Sequence, residues 1–216
     1  DLHIAYTNAI IAKGTVKDTS VKKYEFFNAD LKKIQLKSHE VNSSFIKAVE
    51  NNEFKVFYQP KYDMRTKEII GSEALVRWIK EDGTIVSPAE FIPYFENSGK
   101  ITVLDEHMIQ MVCEEMSEME KEGLEVKNVS VNLSRLHLKN PIYITERIRS
   151  LIDKYQINPA NLSFEMTESA IYDDSIAVNQ MIDVLHNIGC QVEMDDYGIG
   201  MSGLQVLSNS NFDTRS

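Results

Sequence analysis

Oxygen-bearing side chains recur along this chain at a spacing that suits metal chemistry. Glu73, Asn132, Glu165 and the pair Asp195-Asp196 each fall at or near the carboxyl end of an apolar, strand-like run: GSEALV, NVSVNL, LSFEM and CQVEMDD. The steps between Glu73, Asn132, Glu165 and Asp195 are 59, 33 and 30 residues. One strand-helix unit of a parallel barrel takes roughly 31 residues. The last two steps are therefore one unit each, and an extra helix accounts for the longer first step. A carboxylate within an apolar strand is costly without a partner. Donors that are all oxygens suit a hard cation, magnesium or manganese, better than zinc, and the five histidines show no HExxH spacing.

Each residue also has a plainer reading by itself. A lone glutamate at a strand end is usually solvated or salt-bridged. Asn132 and Asp195-Asp196 are ordinary turn residues. Glu168 suits the first turn of a helix, where the dipole favours an acid. Their joint recurrence, one per strand unit, favours the cation site.

The elements that would position these residues alternate from residue 54 onward. Strands are expected at 54–58, 68–76, 128–133, 162–166 and 190–194. Helices are expected at 88–97, 102–122, 141–155 and 174–188, the second ending before Gly123 and the last before Gly189. Such alternation implies βαβ units and a parallel sheet. An open doubly wound sheet and a (β/α)8 barrel both fit. No GxGxxG or GxxxxGKS follows the first strand, which weakens the nucleotide-binding Rossmann and P-loop readings. Period-two alternation puts Glu73, Leu75 and Arg77 on one strand face. The front differs: DLHIAYTNAIIAKG reads as a short amphipathic helix, followed by a charged run too small for its own core.

The chain has 216 residues, a net charge of -10 and 43% hydrophobic residues. That acidity excludes holding nucleic acid by backbone charge alone. Cys113 and Cys190 sit in apolar patterns and read as buried free thiols of a reducing cytosol. No run approaches a membrane span of ~20 apolar residues, and no signal peptide is evident at the first residue. The expected location is cytoplasmic, with any membrane anchor lying upstream.

Six stretches together resemble one family. Phe57-Tyr58-Gln59-Pro60, Glu73-Ala74-Leu75-Val76-Arg77-Trp78, Phe91-Ile92-Pro93, Val131-Asn132-Leu133-Ser134, Glu165-Met166-Thr167-Glu168-Ser169 and Asp195-Asp196-Tyr197-Gly198 resemble, in order and spacing, the EAL domains, the cyclic di-GMP phosphodiesterases. Residues 1–28 resemble the last helix and strand of a GGDEF domain. The resemblance implies a GGDEF-like tail plus linker helix over 1–40 and an EAL domain over 41–216. It implies an α/β fold, a modified (β/α)8 TIM-type barrel, here lacking its C-terminal βα units. The implied reaction is hydrolysis of one phosphodiester of cyclic di-GMP to linear pGpG, with two Mg2+ or Mn2+ ions and water. A homodimer and an upstream GGDEF-like or sensory domain are the implied partners.

By the same resemblance, Glu73, Asn132, Glu165 and Asp195 are ligands of a first cation, and Asp196 is associated with a second. Glu168 steadies the loop after Asp196. Arg77 contacts a substrate phosphate, and Gln59 faces the ligand. Two departures stand out. In the loop after Asp196, Ile199 replaces a small hydroxyl residue, Met201 an aromatic and Gly203 a serine. After Phe212-Asp213-Thr214 the family continues with LKID, whereas here Arg215-Ser216 follows at once. Three readings stay open: an active phosphodiesterase, a module that binds cyclic di-GMP without cutting it, and a dimerisation or regulatory scaffold.

Overall fold

A computed structural model describes residues 2–14, 24, 26–195 and 212–215. The chain divides into two compact units, Asp1–Asn51 and Asn52–Ser216. In the first, helices α1 (Leu2–Gly14) and α2 (Ala29–Glu50) are described. Asn28 starts α2 by accepting the Leu31 N–H at 2.9 Å on its side chain, as an N-cap residue should.

Among the described residues, the second unit forms a seven-stranded sheet. Strands β1 (Phe54–Tyr62) and β2 (Ile69–Ile79) form a hairpin. The two-residue strand β3 (Ile85–Val86) pairs antiparallel with β2. Strands β4 (Asn128–Asn132), β5 (Leu162–Thr167), β6 (Gln191–Asp195) and β7 (Thr214–Arg215) then follow β2 in parallel, each beside its predecessor. Helices α3 (Ile92–Ser98), α4 (Ile101–Lys121), α5 (Pro141–Tyr155) and α6 (Glu168–Ile188) alternate with them.

The path order is β1-β2-β4-β5-β6-β7. A doubly wound sheet reverses strand order at a switch point, and this one does not. Helix α4 packs on α5, and α5 on α6, so the layer also advances in one direction. This is singly wound barrel wall, which decides between the two architectures the sequence left open. The expectation of an all-parallel sheet is corrected at β1, which runs antiparallel to β2. The link between them, residues 63–68, is too short for the dozen or more residues that a parallel crossover needs. Asp63 closes it by accepting the Arg65 and Thr66 N–H groups at 2.7 and 2.9 Å.

The outer faces of β1 and β2 bury an aromatic cluster. Phe54, Trp78, Phe91 and Phe95 pack with ring centroids 5.4 to 6.1 Å apart, and Trp78 donates to Glu53 Oε2 at 2.8 Å. Each ring is nearly or fully buried, which secures the hairpin to α3. Helix α6 begins six residues before its expected start. It breaks at Asp174 (φ -160°, ψ 85°), whose carboxylate accepts the Ala177 N–H at 3.0 Å. The sequence signal at 174 is thus an internal cap, and the first turns carry Glu168. Cys113 and Cys190 are free and buried, and burial pushes both thiols up to about 12. No helix of the described residues is long and apolar enough to cross a membrane.

Gly71 shows how closely β2 and β4 approach at the entry to the site strand. A Cβ there would stand 2.6 Å from the Asn128 carbonyl oxygen. Forced contacts of this kind cost about 1–3 kcal/mol. Gly71→Ala is expected to lower the unfolding free energy by that amount, read as a lower urea midpoint with an unchanged slope. An unchanged midpoint would mean the two strands part without strain.

Candidate active site

Alternation along the parallel strands sets one face polar. Glu73 on β2, Ser130 and Asn132 on β4, Ser163 and Glu165 on β5, and Glu193 and Asp195 on β6 share that face. The register places Glu73 opposite Ser130, Asn132 opposite Glu165, and Glu165 opposite Glu193. Gln59 on β1 stands opposite Glu73. The residues expected to ligate a cation therefore arrive at the carboxyl end of one sheet, from four successive parallel neighbours.

Their contacts are specific. The Asn132 side-chain amide donates to Glu73 Oε1 at 2.8 Å. Glu165, almost wholly buried, accepts the Ser130 hydroxyl at 2.6 Å and the Lys61 ammonium at 2.7 Å. Glu193 accepts the Ser163 hydroxyl at 2.6 Å and the same ammonium at 2.7 Å. Burial pushes the Glu73 carboxyl above its ordinary value. The Asn132 amide and the Lys61 charge oppose this, while the charges of Glu165 and Asp195 add to it. Burial alone would pull the Lys61 ammonium down, but its hydrogen bonds to Glu165 and Glu193 outweigh that and leave it raised.

Among the described residues, no group of three or more His, Cys, Asp or Glu side chains is drawn together as a metal cage. Glu165 leans on Lys61 and Glu73 on Asn132 instead. The donor set nevertheless fits a hard cation, because it is all oxygen and includes the carboxylates of Glu73, Glu165 and Asp195. Glu168 is buried in the first turn of α6, directly after the N-cap position Thr167. Asp196, Ile199, Met201 and Gly203 lie outside the described residues.

A cavity of about 530 Å3 opens beside this face, within the range of small-molecule sites. Arg77, Asn132 and Glu165 line it, and Ile92, Leu104 and Met108 from α3 and α4 supply apolar wall. Arg135 adds a second guanidinium to Arg77 there. Arg77 stacks over the Phe57 ring at 5.8 Å and donates to the Val76 carbonyl at 2.8 Å. The turn after Asn132 is pinned from α4. Buried Asp105 accepts the Ser134 N–H at 3.0 Å and pairs with His137 Nε2 at 3.0 Å. Burial pushes the Asp105 carboxyl up, against the hydrogen bond from His137.

An EAL domain model matches residues 43–214. The chain belongs to the EAL domain family. Among curated relatives, this EAL chain is 31% identical over 167 residues to the probable cyclic di-GMP phosphodiesterase PdeG of Escherichia coli, covering 77% of this chain and 33% of that one. It is 27% identical over 205 residues to the bifunctional diguanylate cyclase/cyclic di-GMP phosphodiesterase MucR of Pseudomonas aeruginosa, covering 95% and 30%. Among solved structures, a PaMucR phosphodiesterase in complex with c-di-GMP superposes with a TM-score of 0.75 at 27% identity, covering 82% of this chain and 71% of that one. The EAL chain thus spans about a third of the length of these curated relatives.

Sequence reading missed Lys61, Ser130, Ser163 and Glu193, and the Asp105–His137 pair. Four of these were within reach, since period-two alternation puts Lys61 with Gln59, Ser130 with Asn132, Ser163 with Glu165 and Glu193 with Asp195. Asp105 and His137 carry no such signal: they meet only when α4 packs over the β4 turn.

The raised Glu73 carboxyl has a stability consequence. Above its ordinary 4.5 the folded protein holds a proton that the unfolded chain releases. Its contribution is fully present below 4.5 and is lost as pH rises through the folded value. In chelator, Glu73→Gln is expected to melt above the parent at pH 7, with the gap closing toward pH 4. Equal melting temperatures at pH 7 would contradict the burial that raises the Glu73 carboxyl.

Proposed function

We propose that this chain carries a cyclic di-GMP phosphodiesterase, which opens one phosphodiester to give linear pGpG. The observation that carries the reading is the convergence of Glu73, Asn132, Glu165 and Asp195 at one sheet end, beside a cavity lined by Arg77 and Arg135. Membership of the EAL family and relatives named as cyclic di-GMP phosphodiesterases support it. Glu73, Asn132, Glu165 and Asp195 would hold Mg2+ or Mn2+, with Asp196 for a second ion. Such ions, when bound, lower the pKa of water and neutralise charge on phosphoryl oxygens.

The chain's own residues do the rest. Arg77, braced by Phe57 and the Val76 carbonyl, presents its guanidinium to a phosphate. The apolar wall from Ile92, Leu104 and Met108 takes a base and excludes water. Asp105 and His137 hold the turn that fixes Asn132. Glu168, at the head of α6, steadies the loop that follows β6, and Gln59 faces the ligand from β1. In this reading residues 1–40 are the tail of a GGDEF-like domain plus a linker helix. The alignment with bifunctional MucR reaches into that region. The functional form is a homodimer, for which a monomer by light scattering at micromolar concentration would be contrary evidence.

The test is to incubate the chain with cyclic di-GMP and Mn2+ and to measure bound ligand and pGpG. Glu73→Ala and Asp195→Asn are expected to abolish product while circular dichroism stays unchanged. Full activity in either would sink the site assignment, and tight binding without product by the parent would favour a non-cutting sensor. Loss of a charged hydrogen bond costs about 1.5–3 kcal/mol. Arg77→Ala is accordingly expected to raise KM roughly 10- to 100-fold, with a smaller change in kcat. A KM unchanged from the parent would remove Arg77 from substrate binding.

A further inference from the structure

The Lys61 ammonium sits among the carboxylates instead of in open solvent. Its Nζ lies 2.7 Å from Glu165 Oε1 and 2.7 Å from Glu193 Oε2. Those glutamate side chains are 5% and 10% exposed, and the lysine 31%. Lys61 arrives from the antiparallel strand β1, opposite Gly71. From there its side chain crosses to β5 and β6.

The two glutamates are not used alike. Glu165 receives both its hydrogen bonds, from Ser130 and from Lys61, on the single oxygen Oε1. Among the described residues its other oxygen, Oε2, accepts no hydrogen bond. Glu193 receives Ser163 on Oε1 and Lys61 on Oε2. Both of its oxygens are thus satisfied by the protein. Glu165 is arranged as a ligand, and Glu193 as an anchor for the lysine.

We infer that Lys61 is a positioning residue that sets the affinity of the cation site, orienting Glu165 by one oxygen while its charge, anchored on Glu193, opposes over-tight cation binding. The inference rests on the cation-site reading above. An ammonium hydrogen-bonded to one oxygen of a carboxylate repels a divalent ion on the other, and the repulsion is strong where water is excluded. The same ammonium keeps two buried, register-opposed carboxylates from facing each other uncompensated when the cation leaves.

The experiment measures Mn2+ binding without substrate, by electron paramagnetic resonance or calorimetry, on the full chain. Circular dichroism checks the fold of each variant. Lys61→Met is expected to lower the Mn2+ Kd tenfold or more. Lys61→Met with Glu193→Gln, which restores the net charge, is expected to return it to within about threefold of the parent. Glu193→Gln alone commits the ammonium wholly to Glu165 and is expected to raise the Kd several-fold. This last variant keeps the inference testable should Lys61→Met fail to fold. A folded Lys61→Met or Glu193→Gln protein with the parent's Kd overturns the inference and leaves the cation site standing. A parent that binds no Mn2+ overturns both.

Discussion

Buried carboxylates on adjacent strands of one sheet repel each other, and the second unit is organised around that constraint. Glu165 and Glu193 stand directly opposite in register, both almost wholly buried. Burying such a pair without compensation costs several kcal/mol per ion. The compensation is local and dense: one ammonium, two serine hydroxyls, and the Asn132 amide on the neighbouring Glu73. Even so, Glu73 is left with its carboxyl pushed up by burial and by surrounding negative charge. A fold keeps such crowding where a cation or a charged ligand can use it.

The architecture makes the crowding unavoidable. Because β2, β4, β5 and β6 run parallel and in sequence order, their carboxyl ends coincide. A polar residue at the end of each must meet its neighbours. The antiparallel hairpin adds what a purely parallel wall would not, since Lys61 comes in from a strand running the other way. The buried aromatic cluster of Phe54, Trp78, Phe91 and Phe95 secures that hairpin against α3. On the other side, Asp105 and His137 tie α4 to the turn after β4, so the cavity wall and Asn132 are set by one buried contact.

Comparison with known proteins agrees with this organisation at the level of the domain. The matched family model runs over residues 43–214, nearly the whole of the unit that carries the site. The superposed PaMucR phosphodiesterase was solved with c-di-GMP, and the cavity here is lined by two guanidinium groups suited to a phosphate-bearing ligand. The curated relatives are about three times longer than this chain.

Much was legible in the sequence alone. Apolar runs with a recurring terminal oxygen donor gave the strand ends, and the spacing near 31 residues gave the repeating strand-helix unit. Gly123 and Gly189 marked helix ends at positive φ. These are local signals: period two, period 3.6 and the demands of a turn. The sequence did not say which way β1 runs, since strand polarity depends on the partner a strand finds and not on its own side chains. It did not separate a barrel wall from a doubly wound sheet, because both repeat the same unit. Nor did it show that Lys61, 104 residues from Glu165 and 132 from Glu193, is their shared counter-ion. The alternation showed which face each residue occupies, but only the tertiary structure decided which charges meet across it. A hydrogen bond of 2.7 Å is fixed by strand register and side-chain reach, and neither can be read along the chain.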